Sequence, residues 1–151
     1  MNAEMIEPPP RRQVAEGLRV LVVEDDPDAL ALYTAALERA GAVVFAASCA
    51  AEALETLERE SVHVLVSDVG LPDMDGNALL RAIREKDSPQ SGVAAVAVTG
   101  ARNDDLVDEA NRAGFHVYAA KPIATTDLVG IVVALGRVSL EDERELEGTR
   151  E

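Results

Sequence analysis

Between residues 18 and 138 the chain alternates short apolar runs with longer stretches whose apolar residues recur every three to four positions. Val20 to Val23, Ala42 to Ala46, Val64 to Val66, Val93 to Val98 and Phe115 to Ala119 are the short runs. Their length and β-branched content predict strands, and those apolar at nearly every position predict strands buried on both faces. The stretches between them read as amphipathic helices. Pro27 to Ala40 places Leu30, Tyr33, Thr34 and Leu37 on one face and stops at Gly41, with Asp26 as its cap. Ala50 to Glu60 carries Ala50, Ala53, Leu54 and Leu57 inward, and Asn77 to Lys86 carries Leu79, Leu80 and Ile83. Asn103 caps a fourth helix that Gly114 ends, and Thr125 or Thr126 caps a last one running to about Val138.

Strands alternating with helices through short connections predict an α/β domain of five βα units, with a parallel sheet covered on both faces. The alternation alone leaves the strand order open. Residues 1–17 hold Pro8 to Pro10 followed by Arg11 and Arg12 with no apolar period, which predicts a flexible N-terminal extension. Residues 18–138 form the domain. Residues 139–151 have six acids against two bases, so they read as a helix extension and solvated tail.

The ends of two strands change this picture from architecture to chemistry. Val20 to Val23 run straight into Glu24, Asp25 and Asp26, and Val64 to Val66 run into Ser67 and Asp68. Both deliver carboxylates to the carboxyl rim of the sheet, where open parallel sheets bind ligands. Acids gathered there repel one another unless a hard cation such as Mg2+ sits between them. Thr99-Gly100 ends the fourth strand at the same rim, and Lys121-Pro122 follows the fifth. His63 and His116 lie at strand starts, on the opposite edge, and are not expected to act as ligands or phosphodonors.

The stretches RVLVVEDDPDAL, VLVSDVGLPDMDG, VAVTGA and AAKPI, in this order and spacing, resemble the four signature segments of response-regulator receiver domains of two-component signalling. The resemblance covers about Leu18 to Val138. It implies a flavodoxin-like, doubly wound (βα)5 fold with strand order 2-1-3-4-5. It also implies a phosphoacceptor at Asp68, and Mg2+ held by Glu24, Asp25, Asp68 and the backbone carbonyl of Gly70. Lys121 would pair with the phosphoryl group, Thr99 would bind it, Tyr118 would be the aromatic switch position coupled to Thr99, and the bond before Pro122 would be cis. Asp26 would then serve as a helix cap. The sequence departs from the common pattern in Glu24, which replaces the first Asp, and in Gly70-Leu71, where larger residues often sit; Gly70 and Ala101 occupy the two variable positions beside the site.

A net charge of −14 argues against nucleic acid or an anionic membrane as partner. No apolar stretch reaches the length of a membrane span, and the single Cys49 excludes an intrachain disulfide, so a cytoplasmic setting is expected. With no output domain after the receiver-like stretch, the expected function is a phosphoacceptor switch acting through protein–protein contacts. It would take its phosphoryl group from a histidine kinase or phosphotransfer protein, and a homodimer through helix 4, strand 5 and helix 5 is compatible with the resemblance. The chain would be either free-standing or a receiver from a hybrid histidine kinase. It is not expected to be an enzyme beyond its own phosphoryl transfer and dephosphorylation. A Mg2+-dependent aspartyl-phosphate phosphohydrolase is the competing class, but it calls for an acid two residues after the nucleophile, where this chain has Gly70. A receiver-like scaffold that is never phosphorylated is the other alternative.

Overall fold

The computed structural model describes residues 13–100 and 103–148, so Pro8 to Pro10 and Ala101 lie outside it. The elements follow in the order β1 (Arg19–Val23), α1 (Pro27–Arg39), β2 (Val43–Ala47), α2 (Ala50–Arg59), β3 (Val64–Ser67), α3 (Gly76–Glu85), a 3-10 turn (Pro89–Gly92), β4 (Ala94–Thr99), α4 (Asp104–Ala113), β5 (Val117–Ala120) and α5 (Thr125–Gly148). All strands are parallel, in the order β2-β1-β3-β4-β5, which is the flavodoxin-like arrangement. The order reverses beside β1, and this switch point sets the end of β1 next to the end of β3.

The two-residue period of the strands divides the core into two layers. Leu21, Val23, Leu65, Ala95 and Ala97 face α2, α3 and α4, packing with Ala53, Leu79, Leu80, Ile83 and Ala110. Val20, Val22, Val64, Val66, Val96 and Val98 face α1 and α5, packing with Tyr33, Leu37, Leu128 and Val132. β1, β3 and β4 are buried along nearly their whole length, which explains their uninterrupted apolar sequence. Asp26 caps α1 by accepting from the Asp28 N–H, and Asn103 caps α4 by accepting from the Leu106 N–H, both as the sequence indicates.

One segment differs from the sequence expectation, and the C-terminal helix extension expected from the sequence is present. Gln13 to Gly17, assigned to a flexible extension, packs onto the domain: Ala15 is fully buried and its N–H donates to the Ala40 carbonyl at 2.8 Å. A small apolar residue in a polar run gives no periodic signal, yet it fits the end of α1. The last helix continues ten residues beyond Val138 to Gly148. Leu140 packs against the α1/α5 core layer, and the Glu143 carboxylate meets the His63 ring at 3.1 Å, so tertiary contact adds to the helical propensity of this acidic stretch.

At the amino edge of the sheet, polar side chains serve the backbone. His63 Nδ1 accepts from the Arg19 N–H and His116 Nδ1 from the Ala95 N–H, each at 3.0 Å. Arg84, on α3, donates to the carbonyls of Ser91 and Val93 at the start of β4 and to that of Gly114 at the end of α4 (2.7 Å to the last). Gly114 has φ +111°, and a Cβ there would lie 2.8 Å from Arg84 Nε, so glycine answers both the backbone conformation and the close approach.

Candidate functional site

The backbone ladder carries the site acids to the rim. The Glu24 N–H donates to the Ala47 carbonyl at 3.0 Å, and the Asp68 N–H donates to the Val23 carbonyl at 2.9 Å, so the last pairings of β1 and β3 set both residues beside each other. Carboxylate oxygens of Glu24, Asp25 and Asp68 lie within 4.8 Å of one another. Glu24 is buried, Asp25 is exposed, and Asp68 sits between them at 9% exposure. Three hard oxygen donors converging on one point match the donor chemistry of a divalent cation such as Mg2+. Gly70 stands at the edge of this group, exposed, with its N–H donating to Asp68 Oδ1 at 3.1 Å.

Lys121 arrives from the end of β5. Its N–H donates to the Thr99 carbonyl, which continues the β4–β5 pairing, and the peptide bond to Pro122 is cis. Its ammonium reaches Glu24 Oε2 at 2.7 Å and Asp68 Oδ2 at 3.0 Å. Burial pushes the Glu24 carboxyl above the usual carboxylate value, against the pull of Lys121 and of the Asp26 N–H, and the charge of Asp68 adds to the rise. For Lys121, burial works toward a lower value, but its bonds to Glu24 and Asp68 together prevail and hold the ammonium well above its ordinary range. The lysine therefore stays charged and offsets part of the carboxylate repulsion.

Thr99 is buried at the end of β4, and Tyr118 is half-buried on β5, opposite Ala97. The strand period puts both on the face that carries α3 and α4, with the small Ala97 between them. Asp26, the extra acid of the first cluster, is engaged as the α1 cap. Thus Glu24, Asp25, Asp68, Gly70, Thr99 and Lys121 gather at one rim, Tyr118 lies one step behind Thr99, and both histidines are on the far edge.

Two residues at the site escape a sequence reading. Gly76 opens α3 so close to β3 that a Cβ would fall onto the Asp68 carbonyl and lie 2.9 Å from Val69 Cα, so its lack of a side chain fixes the backbone under Asp68. Asp73, in the loop between them, bonds to α2 across 22 and 23 residues of sequence. The glycine could have been found as the only residue tolerating close backbone approach at a strand-to-helix turn; the second partnership left no local signal.

The match to the response regulator receiver domain spans residues 20–133, and the chain belongs to that family. Among relatives, an uncharacterized 14.6 kDa protein from the sodA1 3′ region of Leptolyngbya boryana is 39% identical over 80% of this chain and 91% of its own length. The two-component response regulator ARR11 of Arabidopsis thaliana is 35% identical over 87% of this chain, which spans 25% of that longer protein. A solved CheY-like receiver domain from Methanospirillum hungatei JF-1 superposes with a TM-score of 0.73 at 30% identity, covering 86% of this chain and 98% of its own. The chain is thus a receiver domain of the two-component signal-transduction type.

Proposed function

We propose that the domain is a phosphoacceptor switch in which Asp68 takes a phosphoryl group from the phosphohistidine of a histidine kinase or phosphotransfer protein. The observation that carries this is the convergence of Glu24, Asp25 and Asp68 on one point with the Lys121 ammonium bonded to two of them. A carboxylate and a phosphoryl donor are both anionic, and a bound Mg2+ supplies the positive charge that lets them approach. Glu24, Asp25, Asp68 and the Gly70 carbonyl would hold it. Asp68 would be the nucleophile, held beside Glu24 and Asp25 through its backbone by Val23 and through its side chain by Gly70 and Lys121. An Asp68 oxygen forms the new bond to phosphorus as the bond from phosphorus to the donor histidine nitrogen breaks. Lys121, already at hydrogen-bond distance from Asp68, would neutralise charge on the transferred oxygens. Gly70 carries no side chain to serve as general acid or base, which favours a long-lived switch over an enzyme with turnover.

The output would run through Thr99 and Tyr118, which share a face of adjacent strands. A phosphoryl group that draws the Thr99 hydroxyl toward Asp68 opens room in which Tyr118 can turn, altering the surface of α4, β5 and α5. That surface would meet the downstream protein or a second copy of the chain. Among the described residues no helix is long and apolar enough to cross a membrane.

Intact mass after incubation with acetyl phosphate and Mg2+ tests the reading. One phosphoryl adduct is expected in the parent, removable by hydroxylamine and missing in Asp68→Asn. An Asp68→Asn protein that took up the group as readily as the parent would overturn the assignment.

A further inference from the structure

The N-terminus of α2 lacks a cap of its own. Its N-cap is Cys49, in an extended conformation (φ −154°, ψ 167°) with no side-chain capping bond, and a thiol accepts hydrogen bonds poorly. The first N–H groups of a helix need partners. Here Asp73 supplies them from another loop: its Oδ1 accepts from the Ala50 N–H and its Oδ2 from the Ala51 N–H, both at 2.9 Å. Oδ1 also accepts from the Met74 N–H at 3.2 Å, which fixes the carboxylate against its own loop. Bonds from Ala50 and Ala51 hold the Asp73 carboxyl below the usual carboxylate value.

The loop so tied is the one that leaves Asp68. At its start it is held by the bonds from Leu71 and Gly76 to the Val69 carbonyl and by the buried Leu71 side chain; at its end Asp75 caps α3 by accepting from the Ala78 N–H. Between Leu71 and Asp75, no other hydrogen bond among the described residues ties it to another element. Its partner is a firm post, because Ala50 and Ala53 anchor the start of α2 in the core. Gly70, by contrast, is exposed with open space where its Cβ would be, so only the bonds of its own turn, from the Gly70 N–H to Asp68 Oδ1 and from the Leu71 N–H to the Val69 carbonyl, hold its peptide.

We propose that Asp73 is the positioning residue of the metal-binding loop: by clamping the loop to the start of α2 it sets the Gly70 carbonyl against the carboxylates of Glu24, Asp25 and Asp68. The inference rests on the reading of this rim as a Mg2+ site. Mg2+ demands near-ideal octahedral geometry with ligands at about 2.0–2.1 Å, so a carbonyl on an untethered loop must be ordered anew each time the ion binds. Residues that orient metal ligands affect affinity on the order of tenfold or more.

The test separates this role from simple helix capping. In the full chain, Asp73→Ala is expected to weaken Mg2+ binding about tenfold by calorimetry and to lower Tm. Adding Cys49→Ser to that variant gives α2 a cap of its own. The double variant is expected to recover Tm while Mg2+ affinity stays weak, and its acetyl phosphate reaction should reach the parent rate only at raised Mg2+. Recovery of Mg2+ affinity together with Tm, or an Asp73→Ala protein that binds Mg2+ as the parent does, would overturn the proposal. A parent that binds no Mg2+ would overturn the reading of the site, and the proposal with it.

Discussion

The two rims of this sheet use charged and polar side chains in opposite ways. At the amino rim, His63, His116 and Arg84 bond to the main chain, accepting from strand N–H groups or donating to carbonyls, and His63 also meets the Glu143 carboxylate. At the carboxyl rim, Glu24, Asp25 and Asp68 face one another, and among the described residues the one cation bonded to them is Lys121. The first arrangement closes the ladder where strands begin and leaves little capacity for anything else. The second is short of positive charge, and that deficit is a capacity to bind. Polar groups thus serve the backbone at one end of the strands and form the proposed binding site at the other.

The comparison breaks most sharply if a rim acid is removed. Asp25→Ala takes a hard oxygen from the cluster and is expected to weaken Mg2+ binding by about tenfold or more. Lys121→Ala should not weaken it, since the ammonium occupies Glu24 and Asp68, but should sharply slow phosphoryl uptake. It should also cost about 1–3 kcal/mol of stability by leaving Glu24 buried without its cation. Calorimetry and denaturant unfolding on both variants read this out, and equal Mg2+ affinity in Asp25→Ala and the parent would contradict it. The amino rim should respond in the reverse sense. His63→Ala strands the Arg19 N–H and is expected to cost about 1–3 kcal/mol with Mg2+ affinity and phosphoryl uptake unchanged. A fall in uptake at equal folded fraction would mean that the rims are not separate.

The smallest effect sharpens the comparison by pH. The N–H groups of Ala50 and Ala51 depress the Asp73 carboxyl in the folded state, and desolvation raises it only in part. A depressed folded-state value gives stability that is present above the unfolded value, about 3.9 for Asp, and lost as pH falls through the folded one. The Tm gap between the parent and Asp73→Ala should therefore be level above about pH 5 and close as pH drops below about 4. A gap that stays open in strong acid would show that the carboxylate charge plays no part.

Much of this was legible in the sequence because the signals are local. Apolar runs ending in acids marked both the buried strands and the rim they feed, and Asn103, Gly114 and Asp26 marked helix ends through their own chemistry. Strand order was not legible from the residues alone, since a βα alternation is compatible with several orders; the family resemblance supplied it. Residues whose roles depend on distant partners also escaped. Asp73 reads as an ordinary turn acid until α2 is beside it, His63 shows nothing of the Arg19 N–H it accepts from, and Ala15 gives no period that would reveal its burial.

Arg84 and Gly114 give α4 an unequal pair of ends. The C-terminal end is tied down by the Arg84 guanidinium, which also grips the start of β4, while the N-terminal end follows the chain just beyond Thr99. A tilt of the helix would therefore turn about its Gly114 end. At about 1.5 Å per residue its arm is about 15 Å long, so a tilt of about 10° carries the Asn103 end through about 2.6 Å while the Gly114 end hardly moves. In the proposed switch a small displacement at Thr99 would act at the long end of that arm, and its largest effect on the surface would fall at the first turn of α4, where Asp104 and Asp105 are exposed.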